Sequence, residues 1–316
     1  MRIENHRTLI ADRARNRAFR DALAAVIEKG KTTVADIGAG TGLIGLIAAR
    51  LGARDVYLYE VAEIGAVARE VLRRNRVRNC HLMPFHSAEE ASPVRVDCVV
   101  SETLGNYAFE EDIVTTMNDA RKRHLKPGGV MIPSRIRQYV APVIAPRFHD
   151  ELTAWDGTGQ DLDLAIDLAF ARDMSLNNIY VRRISAADLL EGGRTAVCWD
   201  EADLKRECSS TRKGEAGWTL NGNATIYGFA VWWEAELVAG VTLSTHPEAM
   251  PTHWEQLYFP LMRPITAAAG ERVSVELRSR SSPEAGTHLS WKGVHFEKTG
   301  KTLSRQALDL DKGYIP

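Results

Sequence analysis

The sequence predicts an α/β domain with a parallel sheet, followed by an antiparallel β domain. Three observations carry this. The chain has 316 residues, more than one domain of roughly 100–200 residues needs. Its first 145 residues alternate short β-branched apolar runs with 3.6-period helical stripes, and strands that are apolar throughout belong in sheets covered on both faces. From Trp218 onward, strand patterns are separated by turn residues.

In chain order, Ala14, Ala18, Phe19, Ala22, Leu23, Val26 and Ile27 form the apolar face of a helix over 11–28 that stops near Gly30. Thr33–Ile37, Val56–Tyr59 and Val96–Val100 read as strands, with helices over Leu43–Leu51 and Ile64–Arg74 between them. A helix over Ile113–Leu125 ends at Lys126-Pro127-Gly128-Gly129 and feeds the strand Val130–Ile132. After about residue 136 the texture changes, which divides the chain into 1–135 and 136–316. Residues 148–190 are mixed, with a helix-like stretch at Leu162–Phe170. Strand patterns follow at Ala224–Val231, Trp233–Leu243, Arg272–Arg278 and Thr287–Lys292, punctuated by Gly240, Gly270 and Ser281-Ser282-Pro283. They fit a sandwich or a barrel.

Composition narrows the function. Forty basic and forty-one acidic side chains give a net charge of -1, which argues against a dedicated nucleic-acid binder. No apolar run approaches the roughly 18–20 residues of a membrane span, and the N-terminus lacks the apolar core of a secretion signal. Cys80, Cys98, Cys198 and Cys208 are scattered, without the spacing of a metal site or a disulfide framework. The expectation is a cytoplasmic protein with no metal, nucleic-acid or membrane partner.

The strongest local motif is Asp36-Ile37-Gly38-Ala39-Gly40-Thr41-Gly42, a strand that ends in a glycine-rich turn and opens a helix. Gly38, Gly40 and Gly42 allow a tight turn and a close ligand approach. Glu60 closes the next strand, 22 residues after Gly38, where it can accept from both hydroxyls of a ribose. A dinucleotide site wants Gly-x-Gly-x-x-Gly, whereas here the third glycine comes one position early. Asp36 would also repel a diphosphate. An adenosyl ligand without phosphates meets neither objection, and the motif resembles that of S-adenosylmethionine-dependent methyltransferases.

The strand Asp97–Ser101 runs into Glu102-Thr103-Leu104-Gly105-Asn106-Tyr107-Ala108-Phe109-Glu110-Glu111. Ligands of open α/β sheets lie beyond the carboxyl ends of the strands, so this segment faces the cofactor. A turn at Gly105-Asn106 would bring Glu102 and Glu111 together. Two carboxylates in one pocket repel, and a planar guanidinium between them removes that penalty. A protonated guanidinium is a poor nucleophile. Carboxylates can fix one of its nitrogens in line with a sulfonium methyl and draw positive charge onto the others.

Here the sequence resembles the protein arginine methyltransferases. Ser101, Glu102, Gly105 and Glu111 match their double-glutamate loop, Thr252-His253-Trp254 their Thr-His-Trp element, and His6, Asp12 and Arg15 their His-(x)5-Asp-x-x-Arg segment. The resemblance implies a Rossmann-like domain followed by an antiparallel β-barrel with a helical arm at about 148–190, and a head-to-tail homodimer. It implies S-adenosylmethionine as cofactor. Arg15 would hold the methionine carboxylate, His6 would contact the cofactor, and Glu60 would bind the ribose. Ala88 and Glu89 would meet the adenine, with Glu89 accepting from its amino group. Glu102 and Glu111 would clamp the acceptor guanidinium, with Glu110 as the adjacent alternative to Glu111. His253 would pair with Asp12, either relaying the released proton or holding the pocket together, with the structural role favoured, and Trp254 would line the substrate slot.

Several positions depart from the family pattern. The family's Trp-Met-Gly-Tyr is here Thr103-Leu104-Gly105-Asn106, Leu9 and Ile113 replace methionines, and the family's upstream helix has no counterpart before His6 in this sequence. The expected acceptor is arginine in a protein or peptide, and the alternative is free arginine or a small guanidino or amino metabolite.

Overall fold

The structure is a computed structural model that describes residues 3–282 and 285–313; the predicted turn residue Pro283 lies outside them. The chain opens with α1 (Ile3–Ala11), a helix the sequence did not predict, and α2 (Arg13–Val26), which falls within the predicted helix over 11–28; Asp12 separates them. Asp12 is the N-cap of α2, and its carboxylate accepts the Arg15 N–H at 2.9 Å. Capping satisfies an amide that the helix start leaves unpaired.

A five-stranded parallel sheet follows: β1 (Thr33–Ile37), β2 (Asp55–Tyr59), β3 (Cys80–Met83), β4 (Val96–Ser101) and β5 (Leu125–Ile132), in the order β3-β2-β1-β4-β5. Its crossovers carry α3 (Leu43–Leu51), α4 (Gly65–Arg74) and α5 (Ile113–Arg123). Every residue of β1 is buried, as a central strand covered on both faces requires. The strand order reverses between β1 and β4, so the carboxyl ends of these two strands are where a ligand crevice opens. Lys126–Gly129 does not end the preceding helix as predicted but lies within β5, where the pairing with β4 shifts register between Val96 and Cys98.

The remainder is β6 (Arg135–Val143), α6 (Arg147–Leu152), α7 (Thr158–Asp161), α8 (Ala169–Leu176), β7 (Tyr180–Arg182), β8 (Val197–Asp203), β9 (Thr211–Thr219), β10 (Ala224–Val238), β11 (Val241–Ser244), β12 (Gln256–Ala267), β13 (Arg272–Ser282), β14 (Gly286–Phe296) and β15 (Thr302–Asp309). One antiparallel sheet runs β7-β12-β10-β6-β8 with β11 on β10, and a second runs β15-β14-β13-β9. No backbone pairing among the described residues closes them into the predicted barrel. They stay two sheets whose facing aromatics pack together, Phe259 edge-on to Trp291 and Trp218 stacked on Phe229.

Three other expectations change. Ala224–Val231 and Trp233–Leu243 are not separate strands: β10 runs unbroken through Trp232 and turns at Gly240 into β11. Gln256–Ala267, interrupted by Pro260 and Pro264, is a full strand. Leu162–Phe170 is not helical, and the helix begins only at Ala169. There Asp161, Asp163 and Asp167 alternate with apolar residues; aspartate is a poor helix-interior residue, and a period of two gives a helix no single face to bury.

One apolar core runs through the whole molecule, from Phe19 and Val34 through Leu104 and Phe109 to Trp233, Phe259 and Trp291. The second domain is thus packed rigidly against the carboxyl edge of the parallel sheet. No helix of the described residues is long and apolar enough to cross a membrane.

Candidate active site

A cavity of about 650 Å³ opens where β1 and β4 diverge, walled by α1, the glycine loop, Glu60, the β4–α5 loop and Trp254. His6, Arg15, Gly38, Gly40, Glu60, Glu102, Glu111, His253 and Trp254 all line it. The sequence brought these together from six separate segments.

The glycine loop is drawn tight. Gly38 has φ +72°, and a Cβ there would stand 2.7 Å from the Thr103 side chain, so the turn also lets the β4–α5 loop close over β1. Both oxygens of Glu60 are held by main chain, Oε2 accepting from Gly40 N–H at 2.8 Å and Oε1 from Ala62 N–H at 2.7 Å. Each oxygen has a further lone pair, which leaves the carboxylate oriented and able to accept two hydroxyls. His6 is buried, its Nε2 has no partner among the described residues, and burial chiefly lowers its pKa, favouring the neutral ring.

Four predicted cofactor contacts stand off the wall. Asp36 lies beneath the loop, fully buried, with Oδ2 accepting the Gly45 N–H of α3 at 2.8 Å. Burial pushes its carboxyl up to about 7. It braces the strand–helix turn rather than facing the cavity. Gly42 is the N-cap of α3, packed against Leu58 and Ala68. Ala88 and Glu89 occupy a short turn at the rim, and Phe85, His86 and Ser87 take their place on the wall.

Two indoles and a carboxamide pin the acceptor loop. Trp254 Nε1–H donates to the Leu104 carbonyl at 2.8 Å, Trp233 Nε1–H to the Gly105 carbonyl at 3.0 Å, and Glu255 N–H to Asn106 Oδ1 at 2.9 Å. Behind them the Tyr107 hydroxyl meets Ser279 Oγ at 2.5 Å and accepts from Gln138 at 3.1 Å. Sequence reasoning missed Trp233, Asn106 and Tyr107; the available signal was Trp233 itself, since a buried indole N–H needs an acceptor. Gly105 is required because a Cβ there would lie 2.3 Å from Glu110 Oε2.

The charges at the centre differ from expectation in one respect. The Arg15 guanidinium lies on Glu102, with Nε 2.5 Å from Oε2 and Nη2 in the same ion pair. A buried carboxylate without a cation is strongly disfavoured, and Arg15 is the cation within reach. Burial raises the Glu102 pKa, and Arg15 offsets this only in part. Glu111 reaches solvent along part of its side chain, but the crowding of its carboxyl, with the charges of Glu102 and Glu110, pushes it up to about 7. Glu110 and Glu111 both line the cavity along with Glu102.

Asp12 joins the two domains. Besides capping α2, its Oδ2 accepts both the His253 backbone N–H and the ring Nδ1–H, each at 2.8 Å. Burial alone would raise the Asp12 pKa, but the hydrogen bonds from His253 and Arg15 bring it below the usual carboxylate range. His253 in turn packs against Trp254, ring centres 3.9 Å apart and planes tilted by 40°.

Residues 135–303 match the family described as the PRMT5 oligomerisation domain, more than half of the chain. The sequence is 31% identical over 292 residues to protein arginine N-methyltransferase 6 of Xenopus tropicalis, covering 90% of this chain and 86% of that one. The chain belongs to the protein arginine methyltransferase family. Its parallel-sheet portion, residues 21–153, also matches the ribosomal protein L11 methyltransferase family. A relative from Streptomyces achromogenes subsp. streptozoticus named arginine N(omega)-methyltransferase is 30% identical over 284 residues, 86% of this chain and 75% of that one. The fold is that of the Trypanosoma brucei PRMT1 enzyme–prozyme complex with AdoHcy (TM-score 0.84, 21% identity, 96% of this chain and 97% of that chain). It is equally that of Arabidopsis thaliana protein arginine methyltransferase 10 (TM-score 0.80, 21% identity, 98% of each chain).

Proposed function

We propose that the protein is an S-adenosylmethionine-dependent methyltransferase acting on the guanidinium of arginine in a protein or peptide. The observation that carries this is the guanidinium already seated on Glu102 inside the cavity, which Glu111 also lines. A site that accepts Arg15 has the donor and acceptor geometry to accept a substrate arginine. Relatives named protein arginine N-methyltransferase, among them those of Xenopus tropicalis and Arabidopsis thaliana, support a polypeptide acceptor over a free metabolite.

The cavity suits the cofactor. Glu60 keeps free lone pairs for a ribose, Gly40 carries no side chain to crowd the cavity, and the unpartnered Nε2 of neutral His6 needs a ligand. Arg15 lies within the same space to meet a carboxylate. When bound, S-adenosylmethionine supplies an electrophilic methyl on a sulfonium. Glu102 and Glu111 then hold the acceptor nitrogen by charge and orientation. Glu111, titrating near neutrality, is placed to take the proton released from the methylated nitrogen. His253 has committed Nδ1 and its backbone amide to Asp12, so it serves as a tether between domains and positions Trp254.

Residues 1–135 form the cofactor unit of this proposal and 136–316 the acceptor unit. The arm at about 148–190 docks on a second copy to form a homodimer. Four cysteines outside any disulfide fit a cytoplasmic setting.

The test is methyl transfer from labelled S-adenosylmethionine to an arginine-glycine-rich peptide, the same peptide with lysines, and free arginine. Label on the arginine peptide alone is the expected result. Label on free arginine alone overturns the polypeptide acceptor, and label on the lysine peptide overturns the guanidinium clamp.

A further inference from the structure

A second cleft, of about 370 Å³, lies at the amino ends of β4 and β5, lined by Arg95, Arg121, Lys126 and Lys205 together with Gly128 and Met131. Among the described residues no acidic side chain lines it. β4 separates it from the catalytic cavity: six residues at about 3.3 Å each put it on the order of 20 Å from Glu102. Methyl transfer makes no use of it.

We infer that this cleft binds a small phosphate, either free or as a phosphomonoester. Arg121 points to it most directly: it lines the cleft, and its Nε and Nη2, shielded from solvent here, have no hydrogen-bond partner among the described residues, so a turn of the guanidinium toward the cleft would bring them to a ligand. Buried donors without acceptors are costly, and adjacent guanidinium N–H groups match a pair of oxyanion oxygens. Arg95 is fixed beside it by the Leu125 and Lys122 carbonyls, at 2.6 and 3.1 Å, contacts that orient its guanidinium without neutralising it. Lys126 is paired with Asp97 at 2.8 Å, and Lys205 stands 4.0 Å from Asp203. Glu207 feels the charge of Arg121 but is paired with Lys122 at 3.0 Å.

The cleft therefore keeps two guanidinium charges without a carboxylate partner, and a dianion balances them. Its volume is at the small end for a metabolite site and exceeds what a bare phosphate fills, which leaves room for a short ester. A concave site with four cations is too small for the extended basic stripe of a nucleic-acid surface.

The experiment is isothermal titration of the full chain with inorganic phosphate and with glycerol 3-phosphate, at ionic strength held constant with chloride. One saturable site per chain is expected. Arg121→Gln and Lys205→Gln should each weaken it about tenfold, the loss of one charge-assisted hydrogen bond. Lys205 is an exposed side chain, so Lys205→Gln folds whether or not Arg121→Gln does. Tighter binding of the ester identifies it as the source, and equal binding identifies free phosphate. Failure of both ligands to saturate, or unchanged affinity in both variants, overturns the inference.

Discussion

Glu102 and Glu111 differ in what surrounds them, and that difference sets separate predictions. Glu102 is buried against Arg15, so Glu102→Gln leaves the fold and the glycine loop intact while removing the charge that holds the acceptor. Methyl transfer should fall at least 10³-fold, on the order of the loss of a positioned electrostatic contact, with S-adenosylmethionine affinity by calorimetry within about threefold of wild type. Equal loss of both would assign Glu102 to the loop's structure. Glu111 titrates at about 7, raised by crowding and by neighbouring negative charge. Below that pH it carries a proton and cannot hold a cation; above it the carboxylate is formed. Accordingly kcat/KM, which reports the free enzyme, should rise with pH through about 7, and Glu110→Gln should move the midpoint downward by removing one negative neighbour. A profile flat from pH 6 to 8 would exclude Glu111 as the titrating clamp. At this scale the sequence was informative wherever spacing expresses a motif: Glu102, Glu111, Arg15, His253 and Glu60 all line one cavity, and Asp12 holds His253 from behind it. Asp36 was not legible, because a carboxylate at a strand end reads alike whether it faces a ligand or the helix amide behind it.

Among the elements, α2 and the segment Pro251–Glu255 depend on one carboxylate. Asp12 receives three hydrogen bonds, one capping α2 and two from His253. Asp12→Ala should destabilise the protein by about 2–4 kcal/mol in urea unfolding, a cap plus the stranded donors of His253. It should also raise the acceptor KM, since Trp254 loses the neighbour it packs against. Asp12→Asn can restore the cap through its amide oxygen, but its NH2 faces the His253 donors, so stability should recover more than KM. A loss under about 0.5 kcal/mol for Asp12→Ala would show that the tether carries no weight. The helices α2 to α5 and the strands β1, β2 and β4 were legible from their periodic or continuous apolar runs, whereas β3, only four residues long and partly exposed, was not. The strand Gln256–Ala267 was obscured by its two prolines, and the Leu162–Phe170 stretch by Leu162, Leu164 and Ile166, apolar side chains that remain exposed.

Those apolar residues raise the question at the scale of the whole molecule. Six of the fourteen exposed large hydrophobics among the described residues fall between Trp155 and Met174. Leu162, Leu164 and Phe170 are each more than half exposed. A contiguous apolar surface of this kind marks an interaction site rather than ordinary scatter. The segment lies inside the stretch that matches an oligomerisation family, and a second copy of the chain is the partner that match supports. The irregular backbone of 162–168 follows from the same cause, since a segment whose apolar side chains meet no intramolecular partner has nothing to select a helix. Sedimentation of the full chain at micromolar concentration should therefore show a dimer. Leu162→Glu with Leu164→Glu, both more than half exposed, should yield a monomer that keeps its melting temperature, because charges buried without partners in the interface cost far more than they do in water. A wild-type chain that sediments as a monomer, or a double variant that stays dimeric, would mean that the arm's apolar face is covered by something other than a second copy.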